Sequence, residues 1–192
     1  MRIHHFLFLI SLIFLFSFGF SLNLALTDYH NPQANHILDA EIVGDVLIVS
    51  AMVQGIEFYD ISNPGNLNHL TNFNLSGGGG GGTKSNCVRA AGNYAYFTTY
   101  NGDGLYVVNI SNPLNPQSLG FVSNSDNFLL ENLDLNGNTL AVCAHTDGVL
   151  LYDISSPSDP EHTASISANN VWTVVISDNF AYVADEDKIL VV

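Results

Sequence analysis

Basic residues are almost missing from this sequence: 4 Lys and Arg stand against 18 Asp and Glu, for a formal net charge of −14. Nucleic acid is bound through clustered Lys and Arg, as are anionic membrane surfaces, so the folded part of this chain offers neither a binding patch. Cysteine is scarce too. Cys87 and Cys143 are too few for a small disulfide scaffold. Read as small apolar side chains they are two buried thiols; in an oxidising compartment one bridge between neighbouring units is the alternative. No Gly-x-Ser-x-Gly nucleophile turn and no phosphate-binding Gly-Lys motif occurs. No two histidines stand at metal-ligand spacing, so His69, His145 and His162 read as solvated or packed side chains. Beyond the first residues nothing keeps a helical period.

What is present is repetition. Gly55-Ile-Glu-Phe-Tyr-Asp60-Ile-Ser-Asn-Pro64 returns as Gly104-Leu-Tyr-Val-Val-Asn109-Ile-Ser-Asn-Pro113, then as Gly148-Val-Leu-Leu-Tyr-Asp153-Ile-Ser-Ser-Pro157, and Lys188-Ile-Leu-Val-Val192 begins it again. About a dozen residues before each phrase stands a two-residue turn signal: Gly44-Asp45, Gly92-Asn93, Gly137-Asn138 and Asp178-Asn179. These landmarks are 48, 45 and 41 residues apart. Each unit reads as four short strands, for the second unit Ser85 to Ala91, Asn93 to Thr99, Leu105 to Ile110 and Gln117 to Ser123. Four strands per unit of about 40 to 45 residues is the period of a propeller blade.

The columns of the repeat predict how the sheets pack. Two and four residues before the landmarks stand Ile42, Ala90, Leu135 and Ile176, and Ala40, Val88, Leu133 and Val174, so one face of the first strand is apolar in every unit. The phrase strand is apolar on both faces, as a strand sandwiched between sheets requires. The expected fold is therefore all-β, a propeller of four-stranded antiparallel blades, three complete and a fourth partial, in an incomplete ring. The blades run 35–76, 83–124, 128–167 and 170–192, with a Gly-rich loop at 77–82. Propellers close with about 4 to 8 blades, so further blades downstream of Val192 are expected.

Residues 1–21 read as a signal peptide. Arg2, His4 and His5 precede an apolar run from Phe6 to Phe20, and Gly19 and Ser21 are the small residues of a cleavage site. Leu22 to Leu26 lengthen the run, so an uncleaved membrane anchor over 6–26 is the rival. A linker over 22–34 follows. All 18 acids lie beyond the leader, against Lys84, Arg89 and Lys188, which leaves a net charge of −15. The expected location is secreted or at the cell surface, with membrane contact only where the leader is uncleaved.

At Gly92-Asn-Tyr-Ala-Tyr-Phe97, at Gly104 through Pro116 and at Asn179-Phe-Ala-Tyr-Val-Ala-Asp185 the chain resembles the LVIVD-repeat family of β-propellers. The departures are Asn109 in place of the usual Asp, Leu67 in place of the second Pro, and the glycine run. The resemblance implies a propeller, commonly on exported or surface proteins, and no shared catalytic residues.

Three groups of residues are candidates for chemistry or structure. Glu41, Arg89, Asp134 and Val175 occupy one column of the first strands, with Asp39, Cys87, Asn132 and Thr173 two residues earlier. If these strands are innermost, Glu41, Arg89, Asp134 and Trp172 form a channel-mouth ligand site; the plainer reading has Arg89 neutralising the carboxylates that flank it. Asp103, Asp147, Asp185 and Asp187 are the calcium candidates, the only cofactor suggested, although none completes the usual twelve-residue loop. Gly55, Asp60, Pro64, Gly104, Asn109, Pro113, Gly148, Asp153 and Pro157 read as structural, with Asp60 and Asp153 bonding turn backbone. The expected role is an exported, non-enzymatic binding or interaction scaffold for an undetermined protein or small-molecule ligand. A lyase or hydrolase with an acidic channel-mouth site is the alternative.

Overall fold

The computed structural model describes residues 36–75, 84–99, 104–123 and 129–192. The leader 1–21, the linker 22–34, the loop 77–82 and Asp103 lie outside the described residues, as do the outer limits of the first two blades and the start of the third. Among the described residues, fifteen strands form sheets of consecutive antiparallel neighbours. Sheet 1 holds β1 (Asp39–Val43), β2 (Val46–Ser50), β3 (Ile56–Asp60) and β4 (Asn68–Phe73). Sheet 2 holds β5 (Ser85–Ala91), β6 (Tyr94–Thr99), β7 (Gly104–Asn109) and β8 (Gln117–Ser123). Sheet 3 holds β9 (Leu133–Asn136), β10 (Thr139–Cys143), β11 (Val149–Asp153) and β12 (Glu161–Ile166). The fourth, three-stranded sheet holds β13 (Val171–Ser177), β14 (Phe180–Asp185) and β15 (Lys188–Val191). Among the described residues the sheets do not close a ring.

The expected turns are where the sequence puts them. Gly44, Gly92 and Gly137 have φ of +58°, +58° and +60°, and Asp178 stands at +53°. Positive φ at the first central position of a two-residue hairpin matches the right-handed twist of the flanking strands. The phrase ends as predicted: the Asp60 carboxylate accepts Ser62 N–H at 2.8 Å, and Asp153 accepts Ser155 N–H at 2.7 Å. Asn109 accepts Ser111 N–H at 2.9 Å through its amide oxygen, so it replaces Asp without losing the turn.

Side-chain alternation along each strand stacks the sheets. On β6 and β7, Ala95, Phe97, Tyr106 and Val108 face sheet 1 and join Ile48, Ile56, Phe58 and Val88. The residues between them, Tyr96, Leu105 and Val107, face sheet 3 and join Leu133, Leu140, Val142 and Tyr152. A third cluster, built on Ala141, Cys143, Val149, Val174 and Val183, joins sheets 3 and 4. Each sheet therefore has a near face towards the preceding sheet and a far face towards the next. The apolar column of the first strands departs from expectation in sheet 1, where Ala40 and Ile42 are exposed. Theirs is the near face of the first sheet, and no described strand packs on it.

Two features were not legible in the sequence. In each complete sheet the phrase strand pairs with its fourth strand through an irregularity at the same column, after Phe58, Val107 and Leu151. The skipped residue brings His69 edge-on to Tyr59 at 5.3 Å and His162 edge-on to Tyr152 at 5.5 Å. These two histidines are thus packed on aromatic rings. The second feature is left-handed backbone at Met52 (φ +49°) and His145 (φ +50°). There the Met52 carbonyl accepts Ser85 N–H at 3.3 Å and the His145 carbonyl accepts Val171 N–H at 2.9 Å, fastening one sheet to the next.

Candidate functional site

The innermost strands β1, β5, β9 and β13 lie against one another in succession, which brings the charged column of the repeat together. Arg89 on β5 is its centre. Its Nη1 donates to Asp39 Oδ2 at 2.9 Å across the first junction, and its Nε lies 3.7 Å from Asp134 Oδ1 across the second. Asp134 carries the chain of contacts onward by accepting Ile176 N–H at 2.7 Å through Oδ2. Asp39 Oδ2 also accepts Val88 N–H at 3.0 Å and the Cys87 thiol at 2.8 Å.

The protonation behaviour follows from these contacts. Burial by itself raises the proton affinity of Asp39, but the Cys87 thiol, Val88 N–H and the Arg89 guanidinium outweigh it and hold the carboxyl below the usual Asp range. Glu41 goes the other way. Its partial burial comes first among the causes; Arg89 opposes it, while Asp39 and Asp134 add repulsion, and the net effect raises its proton affinity. The Cys87 thiol is pushed up to about 12 by burial and by the Asp39 carboxylate it donates to.

The structure thus gathers Glu41, Arg89 and Asp134, and adds Asp39, which the sequence reading placed in the neighbouring column and left out of the candidate site. The signal was available: Asp39 and Glu41 alternate onto one face of β1. Trp172 has a different neighbour. Its ring packs edge-on to His145 at 5.1 Å, at the loop end of sheets 3 and 4, and it is half exposed. At the same end Asn86 donates through Nδ2 to the Glu131 carbonyl at 2.7 Å and to the Leu130 carbonyl at 3.3 Å. A cavity of about 100 Å³ lined by Asn86, Leu129, Leu130 and Glu131 opens beside them. It has room for a few waters, far below the 300 to 1,000 Å³ of small-molecule sites.

The calcium candidates separate. Asp185 accepts Asn169 N–H at 2.9 Å and Asn170 N–H at 2.8 Å, and Lys188 Nζ forms an ion pair with its Oδ2 at 3.1 Å. The place a cation would take is held by an ammonium group. Asp147 accepts a 3.4 Å contact from Thr146 Oγ1 in an exposed turn, and Asp187 sits in the β14–β15 turn. Among the described residues no three His, Cys, Asp or Glu side chains converge to hold a metal.

Comparison with known proteins agrees with this architecture. Residues 81–123 and 168–192 match the LVIVD repeat family. No curated protein matches the sequence. Among solved structures the chain is similar to the computationally designed Ika4 protein, with TM-score 0.66, 15% identity and coverage of 88% of this chain and 98% of that one. It is also similar to the WD40 repeats of RRP9, with TM-score 0.58 and 9% identity over 78% of this chain and 47% of that one. A third likeness, to Myxococcus xanthus glutaminyl cyclase, has TM-score 0.52 and 11% identity over 81% of this chain and 65% of that one. The chain spans about half the length of the RRP9 repeats. At such identities the likeness speaks to fold alone.

Proposed function

From a chain that carries LVIVD repeats folded as propeller blades, we propose an exported, non-enzymatic scaffold that binds another macromolecule at its loop end. The observation that carries this reading is the internal use of the charged column. Arg89 is committed to Asp39 and Asp134, and Asp134 to Ile176 N–H. These contacts weld inner strands together, and catalytic groups in a cleft would instead be turned towards a substrate. The rigid stack leaves Val53, Leu129 and Trp172, all exposed, at the loop ends of its sheets. Exposed apolar and aromatic side chains on a rigid frame favour protein recognition. Export rests on the apolar run from Phe6 to Phe20 with its small residues at Gly19 and Ser21.

The test is comparative. The immobilised chain is exposed to extracellular protein from the producing organism beside two variants, Trp172→Ser with Leu129→Ser at the loop end, and Leu114→Ser in the turn between β7 and β8. A retained ligand lost with the first variant and kept by the second supports the reading. Retention indifferent to both overturns it. N-terminal sequencing of the exported product, expected to start at Leu22, separates a cleaved leader from an anchor. The enzymatic alternative has one supporting observation, the raised proton affinity of Glu41. It predicts a hydrolytic or lyase activity abolished by Glu41→Gln.

A further inference from the structure

At the outer strands of sheets 1 and 2 an open groove of about 430 Å³ runs between β4 and the turn that joins β7 to β8. Its volume falls within the roughly 300 to 1,000 Å³ of small-molecule sites, unlike the cavity beside Asn86. Both walls belong to complete four-stranded sheets. In a chain with 18 acids, no side chain lining this groove carries a charge. Counted from Pro113 and Pro157, Asn115 and Gln117 stand where sheet 3 has Asp159 and Glu161. The repeat therefore accepts carboxylates in these columns, and the first junction carries their uncharged amides. Without a cation the groove has no hold on an anion, and without a carboxylate it has none on a metal ion or an ammonium group.

Hydrogen bonds inside the groove leave a defined set of groups over. His69 Nε2 donates to Asn72 Oδ1 at 2.5 Å, and Gln117 Nε2 donates to Asn115 Oδ1 at 3.1 Å and to the Pro116 carbonyl at 2.9 Å. Among the described residues, Nδ2 of Asn72, Nδ2 of Asn115 and Oε1 of Gln117 then have no protein partner. All three side chains are exposed. Two amide donors and one acceptor, offered from two walls, suit hydroxyl groups, each of which donates once and accepts twice. Leu114, 62% exposed in the same turn, adds an apolar patch.

We propose that this groove binds a neutral oligosaccharide. A sugar chain presents hydroxyls along its edges and apolar C–H faces on its rings, and an open groove admits a segment of a longer polymer. Val53, Leu129 and Trp172 do not line it. It is thus a surface apart from the loop end, and the two readings fail separately.

The experiment titrates the full chain by calorimetry with neutral hexasaccharides of glucose, mannose, xylose and N-acetylglucosamine, and with hexagalacturonate as the anionic counterpart. The variants are Gln117→Ala and Leu114→Ser in the groove and Val175→Ala on the fourth sheet. Circular dichroism matching that of the unsubstituted chain confirms that all three fold. A neutral hexasaccharide is expected to bind and hexagalacturonate is not. Gln117→Ala and Leu114→Ser are each expected to raise Kd about five- to tenfold, and Val175→Ala to leave it unchanged. Leu114→Ser still keeps a protein retained at the loop end, which separates that ligand from the sugar. A chain that binds none of the neutral hexasaccharides overturns the proposal, whatever the loop end retains. Binding of hexagalacturonate as tight as that of the neutral sugars overturns it too. So does binding indifferent to both groove variants, the result expected of a segment that pairs with the backbone of β4 instead.

Discussion

Arg89 on the second sheet donates to Asp39 on the first at 2.9 Å, while Glu41, two residues along on the same face of β1, is left without an ion pair to it. The inner strands of three sheets thus meet around one guanidinium, with Asp134 at 3.7 Å on the other side.

Removing that cation strands its partners. We predict that Arg89→Met, which keeps most of the side-chain volume, destabilises the chain by about 1 to 3 kcal/mol, since two carboxylates three-quarters buried lose their counter-charge. Urea unfolding measures it. An unchanged midpoint would show that Arg89 does not hold the inner strands together.

The two carboxyls of β1 impose opposite pH dependence. Asp39 has a folded-state proton affinity below its ordinary value of 3.8, so its contribution is complete above that value and is lost as pH falls through the depressed one. Asp39→Asn is predicted to lower stability at neutral pH and to flatten the acid limb below about 4. Glu41 is raised above 4.5, so its ionisation costs stability at neutral pH and the cost disappears as pH falls below 4.5. Glu41→Gln is predicted to stabilise the chain at pH 7 and to converge with the parent at low pH. Parallel stability curves for parent and variants would refute both assignments.

The glycine opening the phrase is set by the fourth strand. A Cβ at Gly148 (φ +83°) would collide with the Ile166 carbonyl of β12, and one at Gly55 (φ +82°) with the Phe73 carbonyl of β4. Lys188 takes this column in the fourth sheet, where no described strand pairs beyond β15. Gly148→Ala is expected to cost roughly 2 kcal/mol or more, from the left-handed backbone and the clash together. Gly137→Asn, at a left-handed position with open space around it, is expected to cost less than about 1 kcal/mol. Equal thermal midpoints for the two variants would contradict this account.

Both thiols are buried and unbridged, and burial pushes each up to about 12. A water-soluble thiol reagent at pH 8 is therefore predicted to react with neither in the native chain and with both in denaturant, without added reductant. Native-state labelling as fast as that of a free thiol, or no thiol titrated in denaturant, would disprove it.

The strands of the second unit show how much was legible. Their expected limits differ from the observed ones by a single residue at Tyr94, Gly104 and Asn109, because turn glycines and alternating apolar residues are local signals. The column of Glu41, Arg89 and Asp134 was legible for the same reason: a fixed period brings equivalent residues to equivalent places. The placing of Trp172 was not, since the pairing of β13 with β14 is irregular between Val171 and Thr173 and nothing in the local sequence marks that irregularity.

The sequence by itself determined the repeat period, the four strands of each unit, their turns and the faces they bury, because each of these depends on neighbours within a few residues along the chain. Only the tertiary structure decided that Arg89 bonds Asp39 and not Glu41, and that His145 lends its carbonyl to the next sheet. Those outcomes depend on the stagger between stacked sheets, which is settled by side-chain packing across the junctions and leaves no local mark on either strand.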